Sequence, residues 1–465
     1  MYDFLLFASV IVFLGISLAY LRHPAASLAH PASFYLAFHG FLFVFRPIVA
    51  RYYDFDFVYR LYQFQPSMTD KITVILGANL AMIVFVIASL AIAPRAFSPP
   101  DRSMIEEARR RMFWPIMIMT GLLTPIALVA QIGNWRLRVN DFETMVRDAA
   151  TGNTVNLHGN GWFTDAALMM APMAVMLIWL ARYRWWGWIY FAVFAFLQAG
   201  TGTRHALIFA IAAIGVTLLM ETGRKWFDWR AVILALVAAF AFNQIVIDRG
   251  GAVRQLVADD MGEGYVDENA LDPLEHMDFA NLEYFEYLVY VVPQRSGSYD
   301  YFANVLQVFT EPIPRRMWPD KPVGSPIKFF SLWDYGQPVG MTASLPGVGW
   351  MSLGYLGIII NALIFALIFA GAYRLLLGRY DGPIARLAYA FVICTSVLVF
   401  RDGTLVTLFR SVPFYFGPLL LALLIARVSG PRLVYTPIPD NRAPAAMTPA
   451  ERRKALAARA GDTPR

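Results

Sequence analysis

The chain of 465 residues is 58% hydrophobic and 15% charged, with a formal net charge of +6 and a mean hydropathy of +0.50. A soluble domain carries about a quarter charged residues, and 28 Pro and 32 Gly are too few for a disordered or collagen-like chain of this length. The single cysteine, Cys394, excludes a disulfide scaffold and any cysteine-rich metal or iron–sulfur site, which leaves an all-α polytopic membrane protein.

In chain order, the apolar runs predict eleven membrane helices, at roughly 2–21, 31–50, 72–92, 112–132, 162–181, 186–200, 204–220, 229–247, 348–376, 384–400 and 408–427. A helix needs about 20 residues to cross the hydrocarbon core and about 17 at least, so the sixth run is short. The runs are continuous rather than alternating, which predicts helices and not a membrane barrel. The first run, Tyr2 to Leu21, has no basic region before it and no convincing cleavage site, so it reads as a span rather than a signal peptide. Trp185, Trp186 and Trp188 at the end of a run fit an interfacial belt.

Lys and Arg set the sides. Arg95, Arg102 and Arg109 to Arg111 follow the third span, Arg182 and Arg184 the fifth, and Arg224, Lys225 and Arg230 the seventh. Arg379 and Arg386 lie between the ninth and tenth, and Arg427, Arg432 and Arg452–Lys454 follow the last. With eleven spans all of these fall on one side, assigned to the cytoplasm, with the amino terminus outside and the carboxyl terminus inside. Arg109–Arg111 are read as orientation signals. The tail 431–465 is rich in Pro, Ala and Arg and has little reason to fold.

On the other side lies the longest hydrophilic stretch, 248–345, between spans 1–8 (1–247) and spans 9–11 (346–430). It holds fifteen acids against seven bases, a net −8, so the rest of the chain carries +14. The basic balance is therefore a topology signature and carries no implication of nucleic acid. Ten of those acids, and no Lys or Arg, fall between Asp259 and Glu286. Leu282–Val292 and Tyr299–Phe309 are predicted as two short helices lying on the membrane surface.

Topology gives no reason for the bases on this outer side. Arg204 follows Gly200-Thr201-Gly202-Thr203 and precedes His205 in a very short turn. Arg315, Arg316 and Lys321 sit among Pro312, Pro314, Pro319 and Pro322, which fix φ and make a rigid presentation loop. Arg401 and Arg410 bracket the last outer loop. Guanidinium forks bind phosphate bidentately, and a helix amino terminus after Thr203 adds orphan N–H donors. Such a cluster suits a lipid-linked diphosphate. The six His residues have no ligand spacing and no phosphate-loop motif occurs, so neither a metal nor a cofactor is expected.

The segment from Gly297-Ser298-Tyr299-Asp300 through Ile313-Pro314-Arg315-Arg316-Met317-Trp318-Pro319-Asp320-Lys321-Pro322, followed by Gly347-Val348-Gly349-Trp350 and Leu353-Gly354-Tyr355-Leu356-Gly357, resembles bacterial oligosaccharide repeat-unit polymerases of the O-antigen type. The resemblance is sharpest over 297–360. It implies a glycosyltransferase of the inner membrane acting at the periplasmic face. One undecaprenyl-diphosphate-linked glycan would be the donor and the distal sugar of another the acceptor, with membrane lipids around them and a flippase or chain-length regulator as partner. Metal-independent transfer would rest on external arginines. Arg204, Arg315, Arg316, Lys321, Arg401 and Arg410 are then candidates for diphosphate contact, and Trp318 for substrate binding. Glu311, Asp320 and Asp402 are candidates for the base that accepts the sugar hydroxyl's proton, with Asp165 and His205 as further possibilities. A ligase using the same donor, or a lipid-linked sugar flippase, would share much of this pattern.

Overall fold

The computed structural model describes residues 2–98, 101–139, 145–147, 154–156, 161–201, 203–230, 233, 274–275, 279–313, 317–318, 321–322, 324–336 and 342–429. The described elements are helices apart from one antiparallel hairpin, β1 (Met145–Arg147) with β2 (Thr154–Asn156). Among the described residues, eight helices are long and apolar enough to cross a membrane, or nine if a bent pair is one span. The chain is a polytopic membrane protein.

The spans begin with α1 (Tyr2–Arg22) and α2 (Pro31–Tyr52), which contains a π-helical segment at Gly40–Phe45. A short α3 (Phe57–Tyr62) leads to α4 (Met68–Ile92), whose start is fixed by reciprocal capping between Ser67 and Asp70. Next come α5 (Arg102–Val139), α6 (Trp162–Leu180), the shorter α7 (Trp185–Ala199) and α8 (His205–Thr222). The predicted span at 229–247 lies outside the described residues apart from Ile233. After α9 (Asn281–Val291) come α10 (Ser344–Tyr373) and α11 (Pro383–Asp402). The predicted span at 408–427 is two helices, α12 (Leu405–Tyr415) and α13 (Gly417–Ser429), bent by 43°.

The ninth predicted span, 348–376, requires correction. Helix α10 breaks at Leu353 (φ −164°, ψ 34°) and Gly354 (φ 60°, ψ −142°). In a straight helix, residues 349 and 358 would stand about 13 Å apart. Here a Cβ on Gly349 would lie 2.6 Å from Ile358 Cα, and one on Gly357 2.0 Å from the Gly349 carbonyl oxygen. The chain therefore reverses, and the first limb, 344–352, packs backbone to backbone against the start of the second, 355–373. The absence of side chains at 349 and 357 permits that approach. A π-helical turn at Arg374–Tyr380 extends the second limb.

The surface position expected for Leu282–Val292 also requires correction. It forms α9 as predicted, but ten of that helix's eleven residues are buried, where a helix on the membrane surface would expose one face. Helix α9 packs on α4 and α10. Around these contacts Tyr35, Phe85, Phe369 and Phe400 join α2, α4, α10 and α11 through ring centroids 4.5–5.3 Å apart. At 299–309 the chain makes only a 3-10 turn, Ala303–Leu306, and one α-turn, Gln307–Thr310.

Contacts sort the helix ends into two sets. On the basic face, Arg386 is buried and donates to the carbonyls of Met220 (3.0 Å) and Ser98 (2.9 Å) and to Asp381 (2.6 Å). Arg109 there meets Glu106 (3.0 Å), Glu221 (2.8 Å) and the Trp179 carbonyl (2.9 Å). Arg109 is thus more than an orientation signal, because it ties three helix ends together. On the opposite face Arg51 meets Asp3, Arg46 meets Glu283, and Arg410 meets Asp165. Thr222 and Leu274 lie on opposite faces, the first beside Glu221 and the second with its carbonyl bonded to Arg46.

Candidate functional site

On the face away from the basic loops, one arginine gathers three remote stretches. Arg410, in α12, places Nε 2.6 Å from Asp165 Oδ2 at the start of α6, and Nη1 3.7 Å from Glu311 Oε1. Lys321 stands 4.0 Å from Glu311 Oε2 and donates to the carbonyls of Glu311 (2.9 Å) and Ile313 (3.1 Å). Gln307 Nε2 steadies Glu311 from one turn back at 3.2 Å. Four predicted residues, Asp165, Glu311, Lys321 and Arg410, therefore form one cluster of two cations and two carboxylates. Arg410 is 45% exposed at its side chain and Lys321 only 12%, so the guanidinium is the group that an incoming anion meets first.

A second predicted group surrounds the turn after α11. Gly403 adopts φ 75° and ends that helix, and a Cβ there would lie 2.1 Å from the Ser344 carbonyl oxygen. Asn361 Nδ2 bridges the carbonyls of Leu345 (2.9 Å) and Gly403 (3.2 Å), while Asn281 Nδ2 bonds those of Thr342 (2.9 Å) and Arg401 (3.2 Å). The amino ends of α9, of the first limb of α10, and of α12 with its Thr404 cap thus meet at the Arg401–Thr404 turn. Within that turn Thr407 Oγ1 donates to Asp402 Oδ2 at 2.8 Å. Asp402 is half-buried and held on one oxygen among the described residues.

Arg204 and His205 lie at the start of α8. Before them, Thr201 Oγ1 donates to the Gln198 carbonyl (2.7 Å), and Gln198 Nε2 donates back to the Thr203 carbonyl (3.1 Å). Gly200 lies so close to the Trp135 indole that a Cβ would fall within 2.4 Å of it. Arg315, Arg316 and Asp320 lie outside the described residues. Trp318 is partly exposed, and its carbonyl accepts the Lys321 N–H at 3.1 Å.

Sequence reasoning overlooked a buried polar set between α2, α3, α4 and α9. Arg46 pairs with Glu283, both shielded from solvent, and donates to the Leu274 carbonyl at 3.0 Å. Tyr59 donates to Glu286 Oε2 at 2.7 Å, and Lys71 lies 5.2 Å from the centroids of the Tyr2 and Tyr59 rings. Burial pushes the Glu286 carboxyl up to about 7, with Lys71 and the Tyr59 bond opposing. The available signal was the i, i+3 spacing of Glu283 and Glu286, which puts both carboxylates on one helical face. Asp300 was also overlooked as a titrating group. It is buried, its carboxylate accepts the Asn304 N–H (3.0 Å), and burial raises it to about 6. Its own N–H and that of Tyr301 bond the Met351 and Ser352 carbonyls at 2.9 and 3.0 Å, which docks the Gly297–Asp300 motif on the break in α10.

Among the described residues, no three His, Cys, Asp or Glu side chains are grouped to hold a metal ion. The chemistry within reach is anion binding by guanidinium and ammonium groups beside carboxylates that can take a proton. No known family matches the chain, and no curated protein or solved structure is similar to it.

Proposed function

We propose that the chain is a membrane glycosyltransferase that polymerises undecaprenyl-diphosphate-linked oligosaccharide units at the periplasmic face of a bacterial inner membrane. The observation that carries this reading is the assembly of Arg410, Lys321, Glu311 and Asp165 from three remote stretches on the face opposite the basic loops. An ion cluster whose arginine is nearly half exposed at a membrane face has the charge to receive a lipid-borne diphosphate.

In the reaction, the bond between the donor's anomeric carbon and the diphosphate oxygen breaks, and that oxygen keeps the electron pair. The acceptor's hydroxyl oxygen bonds to the same carbon, and its proton passes to a carboxylate. Arg410 and Lys321, with Arg204, Arg315, Arg316 and Arg401, stabilise the charge that grows on the departing diphosphate. Asp402 is the preferred proton acceptor over Glu311. Both oxygens of Glu311 already face cations or an amide, whereas among the described residues Thr407 holds one oxygen of Asp402.

Deletion of the gene tests the reading, with surface polysaccharide run on a size-resolving gel and lipid-linked intermediates followed by mass spectrometry. A polymerase leaves single lipid-linked units on the outer face and no long ladder. Full-length polymer held on the lipid diphosphate would make the protein a ligase, and single units trapped on the cytoplasmic face would make it a flippase.

A further inference from the structure

The buried set around α9 has an unbalanced charge. Asp70, Glu283 and Glu286 are all at most 3% exposed and, among the described residues, face two cations, Arg46 and Lys71. Three ionised carboxylates against these two cations would leave one negative charge on carboxylates that are themselves buried, which is costly. Two carboxylate oxygens, Glu283 Oε2 and Glu286 Oε1, have no hydrogen-bond partner among the described residues. The other oxygen of each is engaged, by Arg46 in Glu283 and by Tyr59 in Glu286. The two side chains stand three residues apart on one face of an eleven-residue helix, where they are neighbours.

We propose that Glu283 and Glu286 form a proton-binding pair, with one proton held between Glu283 Oε2 and Glu286 Oε1 on the buried face of α9. One proton makes the set electrically neutral and gives both orphan oxygens a partner, since a protonated carboxyl donates where a carboxylate only accepts. The groups facing Glu286 are Lys71 and Asp70 from α4, Tyr59 from α3, Tyr2 from α1 and Glu283 from its own helix, with Arg46 of α2 behind Glu283. Asp70 is occupied by Ser67 and Gln294, which leaves Glu286 as the carboxyl that takes the proton. Its position near neutrality agrees with that assignment. The site lies on the outer face, so it answers to the pH of that compartment. The same helix begins at Asn281, which holds the Arg401 carbonyl, so loss of the proton weakens the docking of the element that fixes the Arg401 turn.

The test is infrared difference spectroscopy of the full-length protein in lipid nanodiscs, titrated between about pH 5 and pH 9. A protonated-carboxyl band that disappears around neutrality, and is missing in Glu286→Gln, is the expected result. A band unaffected by that substitution, or no such band at acidic pH, overturns the proposal. If Glu286→Gln fails to fold, Tyr59→Phe decides the matter. That variant removes a donor to the ionised form, so the titration moves to higher pH; an unmoved midpoint overturns the proposal.

Discussion

Arg46 carries a guanidinium where solvent does not reach, so its tolerance in the bundle depends on Glu283 and the Leu274 carbonyl. Removing one partner leaves a buried charge alone, at a cost of about 3–5 kcal/mol, whereas replacing both by apolar residues is often far cheaper. Arg46→Met should therefore lower the thermal midpoint of the purified protein sharply, and Arg46→Met with Glu283→Met should recover much of the loss. Additive losses in that cycle would refute the pairing. Arg410 calls for a different expectation, because its own side chain is nearly half exposed and can reach a substrate. Arg410→Ala should slow glycan transfer by about 100-fold or more while membrane abundance holds, and Lys at that position should restore only part of the rate. Wild-type transfer by Arg410→Ala would remove it from the site. From sequence alone, Arg410 was visible as a base on the wrong side for topology. Its partner Asp165 was visible only as a span-end acid, because 245 residues separate the two.

At the scale of elements, helix positions were readable wherever apolar runs were long, since about 20 residues of hydrocarbon-soluble chain leave few alternatives. The reversal inside α10 was not readable that way. Its first limb, 344–352, is poorer in large aliphatics than its second, yet it carries no charge, so the uncharged run continues through the break. The clue is glycine at 347, 349, 354 and 357. Helix α9 was legible as a helix but not as a buried one, because its two glutamates look exposed until Arg46, Tyr59 and Lys71 are placed beside them. The glycines give a direct test of the reversal. Gly357→Ala puts a methyl group against backbone atoms, which cannot swing aside, and should cost at least about 1–3 kcal/mol in thermal stability. Gly371→Ala, further along the same helix, meets nothing within 4 Å and should be neutral. Equal behaviour of the two variants would mean that the limbs do not touch at 349 and 357.

For the molecule as a whole, the bias of Lys and Arg offers a sorting of the loops into two sets because each loop's charge is a local property of sequence. What the loops do to one another is not local, and the protonation state of the fold depends on it. Three carboxyls outside the spans, Glu286, Asp300 and Asp381, are raised above their ordinary values, in each case chiefly by burial. Glu286 moves from 4.5 to about 7 and Asp300 from 3.8 to about 6. Between the ordinary and the raised value the folded protein binds more protons than the unfolded chain, so stability falls as pH rises through that window. The penalty is absent below the ordinary values and complete above the raised ones. The thermal midpoint in detergent should therefore be higher near pH 5 than near pH 8, by the linkage that runs opposite to common acid denaturation. Replacing Glu286 with Gln and Asp300 with Asn fixes two of these groups in a neutral form, which should flatten the profile over the same range. A midpoint that rises from pH 5 to pH 8 would mean that these carboxyls are ionised in the fold, with cations closer to them than the present packing provides.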